Sequence, residues 1–107
     1  MPSLQFKQFE AGSCYSYCLS ANAEALIIDP HISLQDEYEI YLRKNNLKLK
    51  FIIDTHTHAD HFSGAAVLKR KFQAQVLMHE KAVSEVADRR LKDDDRIKIG
   101  YTNIKII

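Results

Sequence analysis

Asp54-Thr55-His56-Thr57-His58-Ala59-Asp60-His61-Phe62-Ser63-Gly64 is the stretch on which the reading of this chain turns. Three of the five histidines fall within six residues here, with an aspartate among them. Before it, Leu49-Lys50-Phe51-Ile52-Ile53 is short, apolar and rich in β-branched and aromatic side chains, the pattern of a buried strand. After it, Ala65, Leu68 and Phe72 recur at helical spacing with Lys69, Arg70 and Lys71 between them, which predicts an amphipathic helix. The histidines therefore sit where a strand gives way to a helix, the place where open α/β sheets put their ligands.

The spacing carries chemistry. Residues two apart lie about 200° apart on a helix but on one side of an extended segment, so His56 and His58 converge only if the chain there is still strand-like. Asp60 and His61 then need a turn to come back toward the same point. Neutral imidazoles and a carboxylate suit zinc, iron or manganese. A lone histidine reads more simply as a polar loop residue, but four such donors at a strand end favour a metal. The chain has no His-Glu-x-x-His and no paired Cys-x-x-Cys, so a metalloprotease helix and a zinc finger fit worse.

A length of 107 residues allows one small domain with one modest core. Fifteen basic and fourteen acidic residues give a net charge of +1, which leaves no electrostatic footprint for nucleic acid or an acidic membrane. Residues 1–12 show no signal-peptide pattern and nowhere do 18 apolar residues run together, so a cytoplasmic location is the default expectation. Cys14 and Cys18 would lie roughly 13 Å apart on one side of a strand, too far for a disulfide, and read as reduced, semi-buried thiols.

Along the chain, Leu4 to Phe9 reads as a half-buried first strand with Leu4, Phe6 and Phe9 inward, followed by a turn at Gly12-Ser13. Cys14 to Ser20 and Glu24 to Asp29 form a hairpin bent at Asn22-Ala23, which Asp29-Pro30 ends because proline cannot continue a ladder. Ser33 with Asp36 suggests a capping box opening a helix whose stripe is Leu34, Tyr38, Tyr41 and Leu42, closed by Asn45-Asn46. His31 reads as a surface residue. Gln75 to Met78 reads as a strand ended by His79, Glu80 to Ala87 as a short helix, and Asp88 to Asp95 as a charged loop. Arg96 to Ile99 and Ile104 to Ile107 form a last hairpin across Gly100 to Asn103.

The pattern His56-x-His58-x-Asp60-His61 resembles the metallo-β-lactamase superfamily. Ser13 to Leu19 followed by Ala25-Leu26-Ile27-Ile28-Asp29-Pro30 resembles that superfamily's opening hairpin. Thr55 to Ala65, with Ser63-Gly64 where glyoxalase II enzymes more often carry Gly-Gly, is most similar to the persulfide dioxygenase and rhodanese-associated branch. Phe6-Lys7-Gln8-Phe9 and Asp94 to Gly100 fit the same branch. The resemblance implies an α/β (α+β) fold, the N-terminal half of an αββα sandwich, with a mixed sheet carrying helices on one face.

It also implies roles. In the hydrolases, residues matching His56 and His58 hold one metal and those matching Asp60 and His61 a second, usually Zn2+. In the persulfide dioxygenases a single Fe(II) is held by two His and one Asp, of which only the residue matching His56 comes from this region. His58, Asp60 and His61 would then shape the pocket, Asp60 being the candidate catalytic carboxylate, while Asp29 would hold the metal loop by hydrogen bonds. Similar chains often carry His-Glu at the bend of His79 without using it as a ligand. The expected partners are small thiol, persulfide or thioester substrates linked to glutathione, with neither nucleic acid nor membrane.

Later metal ligands of the superfamily, a further His, a bridging Asp and a last His, have no match before Ile107. Residues 1–107 are therefore expected to be a single, truncated domain, inactive alone. With helices on one face only, the sheet is expected to expose Leu26 to Ile28, Phe51 to Ile53 and Ile104 to Ile106, driving self-association or pairing with a complementary C-terminal half. Three functions follow: a persulfide dioxygenase-like domain making sulfite and glutathione, a glyoxalase II-type thioester hydrolase with a dinuclear site, or a degenerate metal- or partner-binding remnant. Metal titration by calorimetry tests the ligand assignment: His56→Ala should weaken binding by more than the roughly 10–100-fold of a lost outer partner, and His79→Ala far less. Equal losses would contradict it.

Overall fold

The computed structural model describes residues 4–54, 64–79, 88–92, 95–100 and 102–105. Strand β1 (Gln5–Ala11) and β2 (Cys14–Ala21) form a hairpin, and β3 (Glu24–Ile28) pairs antiparallel with β2. A 3-10 turn (Ile32–Leu34) leads into helix α1 (Gln35–Lys44), which crosses to β4 (Lys48–Asp54). Helix α2 (Ala65–Phe72) precedes β5 (Gln75–His79), and β6 (Arg89–Leu91) completes a six-stranded sheet in the order β1-β2-β3-β4-β5-β6. The β3–β4, β4–β5 and β5–β6 pairs are parallel. Strands β7 (Arg96–Ile99) and β8 (Thr102–Lys105) form a separate antiparallel pair.

Alternation sorts the strand side chains onto two faces, each with its own core. On one face Ile27, Leu49, Ile52, Val76 and Met78 pack with Leu34, Tyr38 and Leu42 before and along α1 and with Ala65 and Leu68 of α2. The predicted stripe of α1 is thus correct, with Tyr41 at its margin. Phe9 joins this core, its ring meeting Tyr38 edge to face at 4.9 Å. Cys18 is buried here too, and desolvation pushes its thiol up to about 12, so it packs as an inert apolar group. Cys14 is exposed and both thiols are free.

The second face is covered, which corrects the expectation of an open sheet. Leu26 and Leu77 are fully buried in a cluster with Leu91, Ile97 and Ile99, so the β7–β8 hairpin supplies a layer of its own. Leu19, Ile28, Phe51, Ile53 and Ile104 are half-buried around it. Ile106 lies outside the described residues. Leu4 and Phe6 are among the exposed large apolar residues, at 49% and 62%, so the first strand is not half-buried as its alternation suggested. Phe6 and Phe9 are three apart and point to opposite faces, and only Phe9 reaches a core.

Other differences have local causes. Asp88 to Asp95 is not wholly a loop: Arg89–Leu91 adds a parallel strand to β5 and buries Leu91. Asp88 anchors it, its carboxylate accepting from the Val76 N–H at 2.8 Å and from Lys69 Nζ at 2.7 Å. Lys69, then the Val76 N–H, hold that carboxyl below the usual range. The first helical turn is capped by His31, whose Nδ1 accepts from the Ser33 N–H at 3.1 Å, rather than by Ser33 with Asp36. The expected helix from Glu80 to Ala87 lies outside the described residues.

The β2–β3 and β7–β8 turns carry opposite backbone costs. Asn22 and Ala23 bend β2 into β3 with φ of 51° and 65°, the left-handed pair that a two-residue turn demands. Gly100 takes φ 57° between β7 and β8, and a Cβ there would meet Ala21 O at 2.7 Å and Asn22 Cβ at 2.6 Å. Its N–H donates to Glu24 Oε1 at 2.6 Å, which together with Lys50 holds that carboxyl below its usual range and seats the hairpin on the β2–β3 turn. In urea denaturation Ala23→Gly should gain about 0.5–1 kcal/mol by relieving strain, while Gly100→Ala should lose about 2 kcal/mol or more. A stabilising Gly100→Ala would contradict the docking of the hairpin.

Candidate metal centre

The candidate donors His56, His58, Asp60 and His61 lie outside the described residues, so the site is defined by what holds its two stems. β4 delivers the chain to Asp54, which is 5% exposed, and α2 takes it up again after Gly64. Both stems are tied to the turn that follows β3. The Asp29 N–H donates to Ile53 O at 2.8 Å, next to the entrance, and the Gly64 N–H donates to Pro30 O at 2.8 Å, at the exit. Gln35 Nε2 also donates to Gly64 O at 3.4 Å. A Cβ at Gly64 would overlap the Gln35 side-chain amide, so a larger residue there would displace Gln35 from its bond to Gly64 O.

The sequence explains the turn. Asp29 leaves β3 with φ 55°, a left-handed conformation that Asp tolerates better than most residues, and Pro30 stops the ladder. His31 is half-buried rather than a plain surface residue: its ring caps the 3-10 turn, and its N–H donates to Tyr38 Oη at 2.8 Å. Tyr38 Oη in turn lies 2.6 Å from Ser16 Oγ in the core. Burial raises the Tyr38 phenol above its ordinary value, so it stays neutral and can accept and donate at once.

Asp29 thus stands where a loop-holding role was expected, and the bond it demonstrably makes to the β4 stem runs through its backbone. His79 ends β5, on a neighbouring strand of the same parallel set. Among the described residues no group of three His, Cys, Asp or Glu side chains is placed to hold a metal. No helix of the described residues is long and apolar enough to cross a membrane. Residues 55–63 carry three imidazoles and a carboxylate, side chains of the kind a divalent transition metal takes, and the stems on either side are held at Asp29 and Pro30. The clamp from Asp29 to His31 has no motif; Asp29-Pro30 at a strand end was its one visible trace.

Residues 9–104 match the sequence profile of the Metallo-beta-lactamase superfamily. Mitochondrial persulfide dioxygenase ETHE1 of Mus musculus is 30% identical over 102 residues, covering 92% of this chain and 40% of that protein. A hydroxyacylglutathione hydrolase of Brucella ovis is 35% identical over 100 residues, covering 84% of this chain and 39% of the hydrolase. The crystal structure of ETHE1 from Myxococcus xanthus superposes with a TM-score of 0.85 at 26% identity, over 94% of this chain and 46% of that one. The chain thus spans about two-fifths of the length of these curated relatives. With the profile covering most of its length, the mixed sheet backed by two helices, and the histidine segment pinned at the end of β4, this chain belongs to the metallo-β-lactamase superfamily.

Proposed function

We propose that this chain is the metal-binding part of a persulfide dioxygenase-like enzyme, with iron(II) held on residues 55–63. The observation that carries the reading is the similarity to ETHE1 of Myxococcus xanthus across 94% of the chain, joined to the Ser63-Gly64 ending of the histidine segment. In this reading His56 is the direct iron donor, while His58, Asp60 and His61 shape the pocket and hydrogen-bond its contents, with Asp60 the catalytic carboxylate. Asp29 and Pro30 each hold one stem of the segment through a backbone hydrogen bond. Iron(II) bound there would supply open coordination positions for a thiol-linked persulfide and dioxygen. The substrate class is a small persulfide carried on glutathione, and the product class sulfite and the free thiol.

A second reading is supported by the 35% identity to the Brucella ovis hydroxyacylglutathione hydrolase. There His56 with His58, and Asp60 with His61, would serve two zinc ions in thioester hydrolysis. Metal stoichiometry separates the two, one ion per chain for the dioxygenase and two for the hydrolase.

The dioxygenase arrangement needs two histidines and a carboxylate on one face, and in this reading His56 is the one of these that the segment provides. Donors from a complementary segment would complete it. The 107-residue chain is therefore expected to bind about one iron(II) weakly and to show no oxygen uptake with glutathione persulfide above a free-iron control. Uptake well above that control would overturn the incompleteness of the site. Two zinc ions per chain with hydroxyacylglutathione hydrolysis would favour the hydrolase.

A further inference from the structure

Tyr38 is fully buried, yet its ring position on Phe9 could be filled by phenylalanine. What calls for a tyrosine is the oxygen. It accepts the His31 N–H at 2.8 Å and meets Ser16 Oγ at 2.6 Å, and Ser16 is itself buried at 1%. The bond to His31 lands on the turn whose neighbours Asp29 and Pro30 hold the two stems of residues 55–63. That turn begins with a non-glycine residue at φ 55°, a strained conformation that persists only where its surroundings over-determine it.

We infer that Tyr38 is a positioning residue for the 55–63 segment: its hydroxyl, steadied by Ser16, fixes the Asp29–His31 turn, and that turn sets the separation of the segment's two stems. The path runs from the core of β2, through α1, to a backbone N–H, and from the same turn to Ile53 and Gly64. Removing the hydroxyl leaves a half-buried N–H and a buried serine without that partner, and the turn loses its side-chain hydrogen bond from the middle of α1. Tyr41, on the same helix and also against Phe9 at 5.7 Å, sits at the margin of the core and serves as the comparison tyrosine. The inference rests on residues 55–63 being the metal-holding segment, but its structural half can be read without metal.

Four variants of the 107-residue chain decide it: Tyr38→Phe, Ser16→Ala, Tyr41→Phe and Leu42→Val, the last a small core deletion further along α1. Zn2+ affinity is measured by calorimetry, and exchange of the Asp29 and Gly64 amide protons is measured without metal, against Ile27 in β3 as an internal reference. Tyr38→Phe should weaken Zn2+ binding about 10-fold, the lower end for a lost outer partner, and speed exchange at Asp29 and Gly64 but not at Ile27. Ser16→Ala should shift both readouts the same way by less. Tyr41→Phe and Leu42→Val should leave both unchanged even where they lower the melting temperature. A Tyr38→Phe chain that titrates and exchanges like the parent overturns the inference. If Tyr38→Phe does not fold, an unchanged Ser16→Ala overturns it instead. Should the parent chain take up no Zn2+, the metal reading falls, and the amide exchange alone decides whether Tyr38 positions the segment.

Discussion

Two backbone hydrogen bonds fix where the histidine segment starts and stops: Asp29 N–H to Ile53 O and Gly64 N–H to Pro30 O, each 2.8 Å. Neither involves a side chain, and both spring from one turn. They are possible because β3 and β4 are parallel neighbours whose C-terminal ends lie at the same edge of the sheet. A chain leaving β3 there passes over the end of β4, and a left-handed Asp29 turns its N–H toward it. Both ends of the stretch 55–63 are thereby tied to one turn, and metal sites in general depend on such preorganised supports.

The rest of the fold serves to keep that turn in place. Helix α1 and the 3-10 turn before it lie against the sheet through Leu34, Tyr38 and Leu42, and Tyr38 reaches back to the turn after β3. Helix α2 covers the same face through Ala65 and Leu68, next to Gly64. On the other face the β7–β8 hairpin buries Leu26 and Leu77 on β3 and β5, the strands on either side of β4. Besides this packing, Gly100 lies close against Ala21 and Asn22, and Glu24 accepts the Gly100 N–H. β4 is therefore supported from both faces while its C-terminal end carries the segment.

Most elements were legible because their side chains alternate or recur with a clear period, as in Phe51-Ile52-Ile53 and in Leu34, Tyr38 and Leu42. Strand β6 was not: Arg89-Arg90-Leu91 offers one apolar residue among charges, and its pairing comes from Asp88 gripping Val76 rather than from its own pattern. The cap of the first turn was misplaced because a histidine ring took the task expected of Ser33. The covered second face escaped notice because the contact of Gly100 with Glu24 joins residues 76 apart and leaves no local signal. At the site, the candidate donors His56, His58, Asp60 and His61 were proposed from residue types and spacing. The clamp on the stems was not, since backbone hydrogen bonds have no residue signature. The superfamily followed from the motif and its neighbours, and the profile match over residues 9–104 bears that out.

The central claim is that this superfamily domain gathers a metal at the end of β4 through the histidines of residues 55–63. Imidazole nitrogen resonances of the five histidines, followed by NMR as Zn2+ is added to the 107-residue chain, test it most directly. The account predicts that His56 shifts first and furthest, with His58 and His61 following, while His31 and His79 stay close to their metal-free positions. Leading shifts at His31 or His79, or no shift at His56, would contradict it.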